Sequence, residues 1–354
     1  MSAGAPESAS TGGGESPAAG ARVSEVEAAR EARLGPGPEF DLIRSFLRGR
    51  TGSERPDVRV GPGDDAAVVA GDGIVLTIDL SIEDVHFRRE WLSPFETGYR
   101  AATASLSDLS AMAARPIGLL VSLGLPVGDR EEFAEELMRG VVAAAETADA
   151  VLLGGDLTRS PSKVVIDVAA VGEASRPIGR GGARVGDEVW VTGRLGAAAA
   201  AVAALERGQA LDDDARRALA APVARIQEAL WLAARGLPTA MLDLSDGLAG
   251  DAGHIASASG VAIVLEADAI PIHPAAAHLP EGLQLALSGG EDYELCFTAA
   301  PGALTSLEAD FEEAFGVDLT RVGAVEPGEG VYLREADGSR SRLVAGGFQH
   351  FRSD

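Results

Sequence analysis

Short apolar runs alternate with helical patterns over much of the first half of the chain. The predicted strands are VVAGDGIVLTIDL, IGLLVSLGLP, AVLLGG and SKVVIDVAAVG, and helical periodicity separates them near residues 96–114 and 130–148. A helix is also predicted in EFDLIRSFLRG, where Phe40, Ile43 and Leu47 recur at helical spacing. This alternation predicts an α/β fold.

The pattern is interrupted at GEASRPIGRGGARVGD, which is rich in Gly, Pro and Arg and has weak periodicity. Further strands are predicted in DEVWVTG, TAMLDL, VAIVLEA, YELCFTA, LTRVGAV and GVYLRE. The accompanying helices are predicted near 196–208, in PVARIQEALWLAARG, in DGLAGDAGHIASASG and near 303–315. A chain of 354 residues is long enough for two cores, so we predict α/β domains at residues 37–175 and 176–354.

Residues 1–36 have a different composition from the rest of the chain. They are rich in Gly, Ala, Ser, Pro and Glu and contain few large apolar side chains. Such a segment buries too little apolar surface to offset the entropy lost on ordering. We therefore predict a disordered extension without a catalytic role.

The formal net charge of −24 and the pI near 4.6 argue against nucleic acid or an anionic membrane as a partner. Lys163 is the only lysine of the sequence, which excludes a P-loop because that motif needs a lysine after glycine. The one cysteine, Cys296, cannot form an intrachain disulfide and is predicted to lie in the core. With no export signal and no apolar run long enough to span a bilayer, a cytoplasmic location is expected.

Seven aspartates follow apolar, Gly-rich or Ser-rich stretches. They are Asp64, Asp65, Asp79, Asp108, Asp156, Asp243 and Asp246. One aspartate alone is more often a cap or turn residue, but caps do not require acids to gather at the ends of successive strands. The joint pattern predicts a carboxylate cage for several Mg2+ ions that hold phosphate oxygens.

Several of these acids have neighbours that suit phosphate chemistry. Thr77 and Asp79 are two positions apart, so on a strand they share a face and can bind one ion. The glycines before Asp156 in LGGDLTRS allow phosphate to approach the backbone, and Asp246 begins a predicted strand-to-helix turn that favours an anion. His254, in the helix after that turn, is predicted to be a structural residue.

The order GDDAAV, TxD followed by VHF, SDLSAMAARP, GGDLTRS, LDLSDGL and SGGEDYELCF resembles that of the thiamine-monophosphate kinases over residues 37–354. The resemblance implies a two-domain PurM-like fold, α/β (α+β), with an N-terminal dimerising domain that has a mixed sheet and a C-terminal AIR synthase-like domain. It also implies a cytoplasmic homodimer that uses ATP and Mg2+. One departure is Ile78, where the family often carries a second hydroxyl residue before the strand acid.

The resemblance also implies roles for individual residues of this chain. Mg2+ ligands would be Asp64, Asp65, Thr77, Asp79, Asp108, Asp156, Asp243 and Asp246. ATP would contact Gly155, Asp156, Arg180 and Ser245, with Arg180 preferred over Arg176 and Arg184. Thiamine monophosphate would be held by His86, Glu291 and Phe348.

The implied reaction is the last step of thiamine diphosphate synthesis, in which the γ-phosphoryl group of ATP is transferred directly and in line to thiamine monophosphate. Because a phosphate nucleophile is already ionised near neutral pH, no strong general base is required. His86 is therefore interpreted as a hydrogen-bond donor rather than a base. Two alternatives stay open: an ATP-dependent cyclase or ligase of the purine pathway, and a non-catalytic metal-binding or nucleotide-sensing module.

Overall fold

The computed structural model describes Met1 and residues 57–60, 68–69, 73–128 and 131–343. Several predictions fall outside these residues: most of the 1–36 extension, the helix in EFDLIRSFLRG, and the site residues Asp64, Asp65 and Phe348. They stay predictions.

The first half forms strands with two long helices on one side. In chain order its elements are β1 (Val58–Val60), β2 (Val68–Val69), β3 (Ile74–Ile82), α1 (Pro94–Ala111), β4 (Arg115–Pro126), α2 (Glu131–Thr147), β5 (Val151–Ser160) and β6 (Val165–Glu173). Strands β3–β6 make a four-stranded sheet in the order β3-β6-β4-β5, in which only β4 and β5 are parallel. The predicted strand VVAGDGIVLTIDL is divided into β2 and β3, and β1 pairs with β2.

Helix α1 begins at a capping box. The Ser93 hydroxyl accepts the Glu96 backbone N–H at 3.3 Å, and the Glu96 carboxylate accepts the Ser93 backbone N–H at 2.7 Å. Pro94 occupies the first turn, where its missing N–H costs no hydrogen bond. The start of α1 is thus set by local sequence alone.

Helix α1 packs closely against α2 through two glycines. A Cβ on Gly98 would lie 1.9 Å from the Leu137 carbonyl oxygen, and one on Gly140 would lie 1.9 Å from the Phe95 carbonyl oxygen. Both obstacles are backbone atoms of the facing helix, which cannot rotate away. The two helices therefore approach at a distance that only glycine permits.

The second half contains a seven-stranded sheet with helices around it. In chain order its elements are β7 (Glu188–Thr192), α3 (Ala197–Glu206), α4 (Asp213–Ala220), α5 (Ile226–Ala234), β8 (Pro238–Asp243), α6 (Leu248–Ser259), β9 (Ala262–Glu266), a 3-10 turn (Ala267–Ala269), α7 (Pro274–Ala277), α8 (Gly282–Ser288), β10 (Leu295–Ala299), α9 (Glu308–Phe315), β11 (Leu319–Glu326), β12 (Gly330–Arg334) and β13 (Arg340–Leu343). The strand order is β13-β12-β9-β11-β7-β10-β8, and β12 and β9 run parallel while the other neighbours are antiparallel.

The predicted two-sheet α/β architecture is confirmed, with several elements missed. The sequence did not predict α4, α7, α8 or β13, which are short and lack an extended apolar period. The helix predicted near 303–315 begins only at Glu308. The domain boundary at residue 175 stays a prediction.

The core consists mainly of aliphatic side chains contributed by both sheets. Cys296 on β10 is fully buried, which confirms its predicted place in the core, and burial raises the pKa of its thiol well above the ordinary range. Phe297 and Phe311 are also fully buried. Within the described residues, no helix is long and apolar enough to cross a membrane.

We expect Gly98→Ala to lower the free energy of unfolding by about 1–3 kcal/mol, because the new methyl group meets the Leu137 backbone. Chemical denaturation measures the change. Gly179→Ala is the matched control, since a Cβ there meets no atom within 4 Å. Equal stability of the two variants would contradict the close helix contact.

Candidate active site

Three carboxylates from three elements meet beside the C-terminal half of α1. Asp79 belongs to β3, Asp108 to the last turn of α1, and Asp243 to the end of β8. The Thr77 hydroxyl donates to Asp108 Oδ2, and the Ser107 hydroxyl donates to Asp243 Oδ2 at 2.7 Å. Helix α1 thereby connects acids that lie on the two different sheets.

These carboxylates disfavour one another's ionisation. Burial, followed by the charge of Asp108, raises the pKa of Asp79 to about 6, and a hydrogen bond from Ser105 opposes part of that rise. Burial and the Asp108 charge likewise raise the pKa of Asp243 to about 7. Such a group of acids gains most from a cation that neutralises all three at once.

One oxygen of the cluster supports this interpretation directly. Asp79 Oδ2 is buried and has no hydrogen-bond partner among the described residues. A buried carboxylate oxygen without a partner is costly, and coordination to a hard divalent cation removes that cost. The residues present therefore fit Mg2+.

The prediction that these acids lie at strand ends is correct for Asp243 but wrong for Asp79, Asp108 and Asp156. Asp79 lies inside β3 because β6 continues to pair with that strand, and Asp79 is opposite Val168. Asp108 lies on a helix. The cage is therefore built from the side of a sheet and a covering helix as well as from a strand end.

The GGD segment is also interior to a strand, since β5 continues to Ser160. A Cβ on Gly155 would lie 1.8 Å from the Val121 carbonyl oxygen, so this glycine is needed for close pairing with β4. Asp156 is exposed and pairs with Ser122, and the register places Asp167 of β6 on the other side of Ser122.

Asp167 is a candidate residue that the sequence interpretation missed. Its charge contributes to the raised pKa of Asp79. The available signal was an acid inside the apolar strand SKVVIDVAAVG, a position where an ionised side chain is costly unless it has a function.

Asp246 belongs to a second group, at the beginning of α6. Ligand atoms of Asp246, Asp251 and His254 lie within 4.8 Å of one another. Burial raises the pKa of Asp251 to about 8, although its Oδ2 accepts the Asp246 backbone N–H at 3.0 Å. His254, predicted as structural, is an exposed member of this group. Asp251 was missed, and its signal was the spacing DGLAGDAGH.

His86 lies in the turn after β3, as predicted. Its Nδ1 accepts the Ile82 backbone N–H at 3.0 Å. A neutral imidazole that accepts at Nδ1 carries its proton on Nε2, so His86 presents a donor there. This tautomer suits the predicted role of His86 as a hydrogen-bond donor.

Glu291 sits on a loop that interlocks with the loop after β8. The Glu291 backbone N–H donates to the Ser245 carbonyl at 2.9 Å. A Cβ on Gly290 would lie 2.4 Å from that same carbonyl oxygen, and Glu291 itself has φ 69°, a left-handed conformation rare outside glycine. The neighbouring Asp292 accepts the Gly196 N–H at 2.8 Å, where it caps α3.

Arg100 is a third residue that the sequence interpretation missed. It is 6% exposed, lies on α1 and forms an ion pair with Glu291. The available signal was its position seven residues before Ser107, which places both on one face of the helix. The structure does not test Arg180 in the same way: it is exposed, Ser259 donates to its backbone carbonyl at 3.3 Å, and its ATP-binding role stays a prediction.

The fold is that of the AIR synthase-related class. The N-terminal domain of AIR synthase related protein matches residues 63–174, and the C-terminal domain matches residues 184–335. Within this class the chain belongs to the thiamine-monophosphate kinase family. This confirms the resemblance read from the motifs.

The matches extend over nearly the whole length of each relative. The thiamine-monophosphate kinase of Rhodopirellula baltica is 34% identical over 88% of this chain and 96% of the relative, and that of Salmonella typhimurium is 35% identical over 88% and 98%. A solved thiamine-monophosphate kinase from Stenotrophomonas maltophilia superimposes with a TM-score of 0.74 at 36% identity over 84% of this chain and 95% of that chain. The solved AaThiL complexed with AMPPCP and TMP superimposes with a TM-score of 0.68 at 30% identity, over 88% of this chain and 96% of that chain. The solved hydrogenase maturation protein HypE of E. coli superimposes with a TM-score of 0.73 over 88% of this chain and 98% of that chain. At 21% identity this likeness shows the fold alone.

We expect Asp79→Asn to abolish most turnover while it stabilises the metal-free protein at high pH. The pKa of the Asp79 carboxyl is about 6 in the folded protein and 3.8 ordinarily. The folded protein therefore loses stability as the pH rises from about 4 through about 6. The amide removes that loss, so in EDTA at pH 8 the free energy of unfolding should rise by about 1–2 kcal/mol, with no difference near pH 4.

Activity and denaturation curves in EDTA at the two pH values measure these effects. Exposed Asp268→Asn is the control and should change neither quantity. Near-normal activity of Asp79→Asn would contradict the cation site.

Proposed function

We propose that this chain phosphorylates thiamine monophosphate to thiamine diphosphate with ATP as the phosphoryl donor, as its family membership indicates. The enzyme is a phosphotransferase with a phosphate group as acceptor. The observation that carries the proposal is the meeting of Asp79, Asp108 and Asp243 beside α1, in a chain whose solved relative AaThiL is complexed with AMPPCP and TMP.

Both reactants are anionic, so their approach must be made electrostatically favourable. Bound Mg2+ would supply that neutralisation and align the phosphate oxygens. We assign the ligands of several Mg2+ ions to Thr77, Asp79, Asp108, Asp156, Asp243 and Asp246, with Asp64 and Asp65 added from the sequence. The positive charge of the bound Mg2+ would take the place of the P-loop lysine that this chain lacks.

The other side chains bind and orient. His86 donates from Nε2 toward the acceptor, and Glu291 with Phe348 would hold its rings. Gly155, Arg180 and Ser245 would contact ATP. No side chain needs to remove a proton, because the attacking phosphate is ionised at neutral pH. Both substrates are metabolites of the kind found in the cytoplasm. A cytoplasmic location is therefore part of the same proposal.

A coupled ADP-release assay with purified protein, Mg2+ and ATP tests the function. We expect turnover with thiamine monophosphate and formation of thiamine diphosphate in equal amount to ADP, because both products arise from one transfer. Formylglycinamidine ribotide serves as the control acceptor for the purine-pathway alternative. Turnover of that control without thiamine diphosphate formation would overturn the proposal.

We also propose that the chain forms a homodimer through the face of the four-stranded sheet that the described residues leave exposed, with residues 37–175 as its dimerising domain. Leu76, Ile78 and Leu80 of β3 are 70%, 65% and 49% exposed and point to one side of the strand. Leu76 pairs with Val171 and Ile78 with Ala169 of β6, so these two rows are apolar on both strands, whereas Leu80 pairs with Asp167. An apolar stripe on an edge strand is a liability unless another chain covers it.

The double substitution Leu76→Asp and Ile78→Asp should convert the dimer into a monomer, because each would place a carboxylate in the apolar contact. Light scattering after size exclusion gives the mass. Val185→Asp, at a site 57% exposed on the second half, is the control and should remain dimeric. A monomeric wild type, or a dimeric double variant, would contradict the proposed interface.

A further inference from the structure

The buried Arg100 guanidinium joins two parts of the chain. Its Nη1 donates to the Leu219 backbone carbonyl at 2.5 Å, at the end of α4, and its Nη2 forms an ion pair with Glu291 Oε2. Arg100 is 6% exposed, so its charge is almost removed from water. A buried cation is tolerated only when it is paired in this way.

The pair changes the charge that Glu291 offers to a ligand. Burial alone would lower the pKa of Arg100, but the nearby Glu291 charge outweighs it and the pKa ends above its ordinary value. The guanidinium therefore stays charged and neutralises Glu291. A neutralised carboxylate attracts a second cation weakly, but its free lone pairs still accept hydrogen bonds.

Glu291 is also held where a ligand can reach it. Its side chain keeps 34% of its surface exposed and lines a cavity of about 300 Å3 together with Arg194, His273 and Asp292. The backbone N–H contact with Ser245 fixes the main chain, and Arg100 fixes one oxygen. These two independent contacts therefore fix the direction in which the Glu291 carboxylate can accept a further hydrogen bond.

We propose that Arg100 is a positioning residue that makes Glu291 a neutralised hydrogen-bond acceptor, which recognises an N–H donor of the acceptor substrate rather than its ring charge. This rests on the proposed function. Thiamine monophosphate carries both features: a cationic thiazolium ring and an exocyclic amino group on the pyrimidine. We assign the amino group to Glu291 because its ion pair with Arg100 cancels the charge that would attract the thiazolium ring.

The test compares thiamine monophosphate with an analogue in which oxygen replaces the exocyclic amino group, so that the ring charge is kept. For the wild type we expect the KM of the analogue to be at least about tenfold higher. Arg100→Met should raise the KM for thiamine monophosphate by about tenfold and leave kcat within about threefold, because Glu291 loses its orientation.

The double variant Arg100→Met with Glu291→Gln separates the two roles. The amide still accepts from the amino group, so the KM for thiamine monophosphate should return to within about threefold of wild type. The N–H of this amide can also donate to the oxygen of the analogue, so the KM values of the two compounds should differ less than they do in the wild type. If Glu291 instead served the ring charge, the wild type would bind both compounds alike and the double variant would lose both, which would overturn the proposal.

Arg216→Met is the matched control for the loss of an interhelical arginine. Arg216 also joins α4 to α1: its Nη1 donates to the Trp91 carbonyl at 2.5 Å and its Nη2 pairs with Glu96. Its KM values should equal those of the wild type. An equal rise in KM for Arg216→Met and Arg100→Met would show a general structural effect and overturn the positioning role.

Thermal unfolding tests the pair without activity. Glu291→Gln alone leaves the Arg100 charge buried and unpaired and should lower Tm, and the double variant should recover part of the loss. If wild-type protein does not turn over thiamine monophosphate, the proposed function fails, while calorimetric binding of the two compounds still decides the role of Glu291. Equal binding of both compounds would overturn it.

Discussion

The mutual repulsion of the buried carboxylates is the constraint on which the rest of the structure depends. Asp79 and Asp243 lie on different sheets, and the charge of Asp108 raises the pKa of both. Folding therefore places together groups that would separate in water. Hydroxyl donors on β3 and α1 hold the carboxylates in place, and the divalent cation of the proposed function would supply the remaining stabilisation.

Helix α1 explains how one element can serve both halves of the site. Its start is fixed by the capping box at Ser93, and its close packing on α2 depends on Gly98. Along one side it carries Arg100 and Ser107, which contact Glu291 and Asp243 in the second half of the chain. Helix α1 therefore meets two opposite electrostatic requirements. Near its beginning the buried guanidinium of Arg100 is paired with the carboxylate of Glu291. Near its end several carboxylates lie together, as a metal-ion site requires.

The sequence predicted much of the site because motifs of this family combine unusual residues in a short space. Asp243 and Glu291 were identified from LDLSDGL and SGGEDYELCF, and Asp79 from the run VLTIDL and its two-residue spacing from Thr77. The interpretation of GGD as the end of a strand was wrong, because β5 continues to Ser160 and Gly155 serves close pairing of β5 with β4. A glycine allows either outcome, and local sequence does not distinguish them.

The sequence by itself determined the α/β class, the acids, the absence of a P-loop lysine and the resemblance that named the chemistry. These features follow from residue type and short spacing. Only the tertiary structure decided that the charge of Asp108 acts on both Asp79 and Asp243, that Asp167 acts on Asp79, that Asp251 groups with Asp246 and His254, and that Arg100 pairs with Glu291. Those contacts join residues far apart in the chain, so their energies depend on burial and distance, which appear only when the chain is folded.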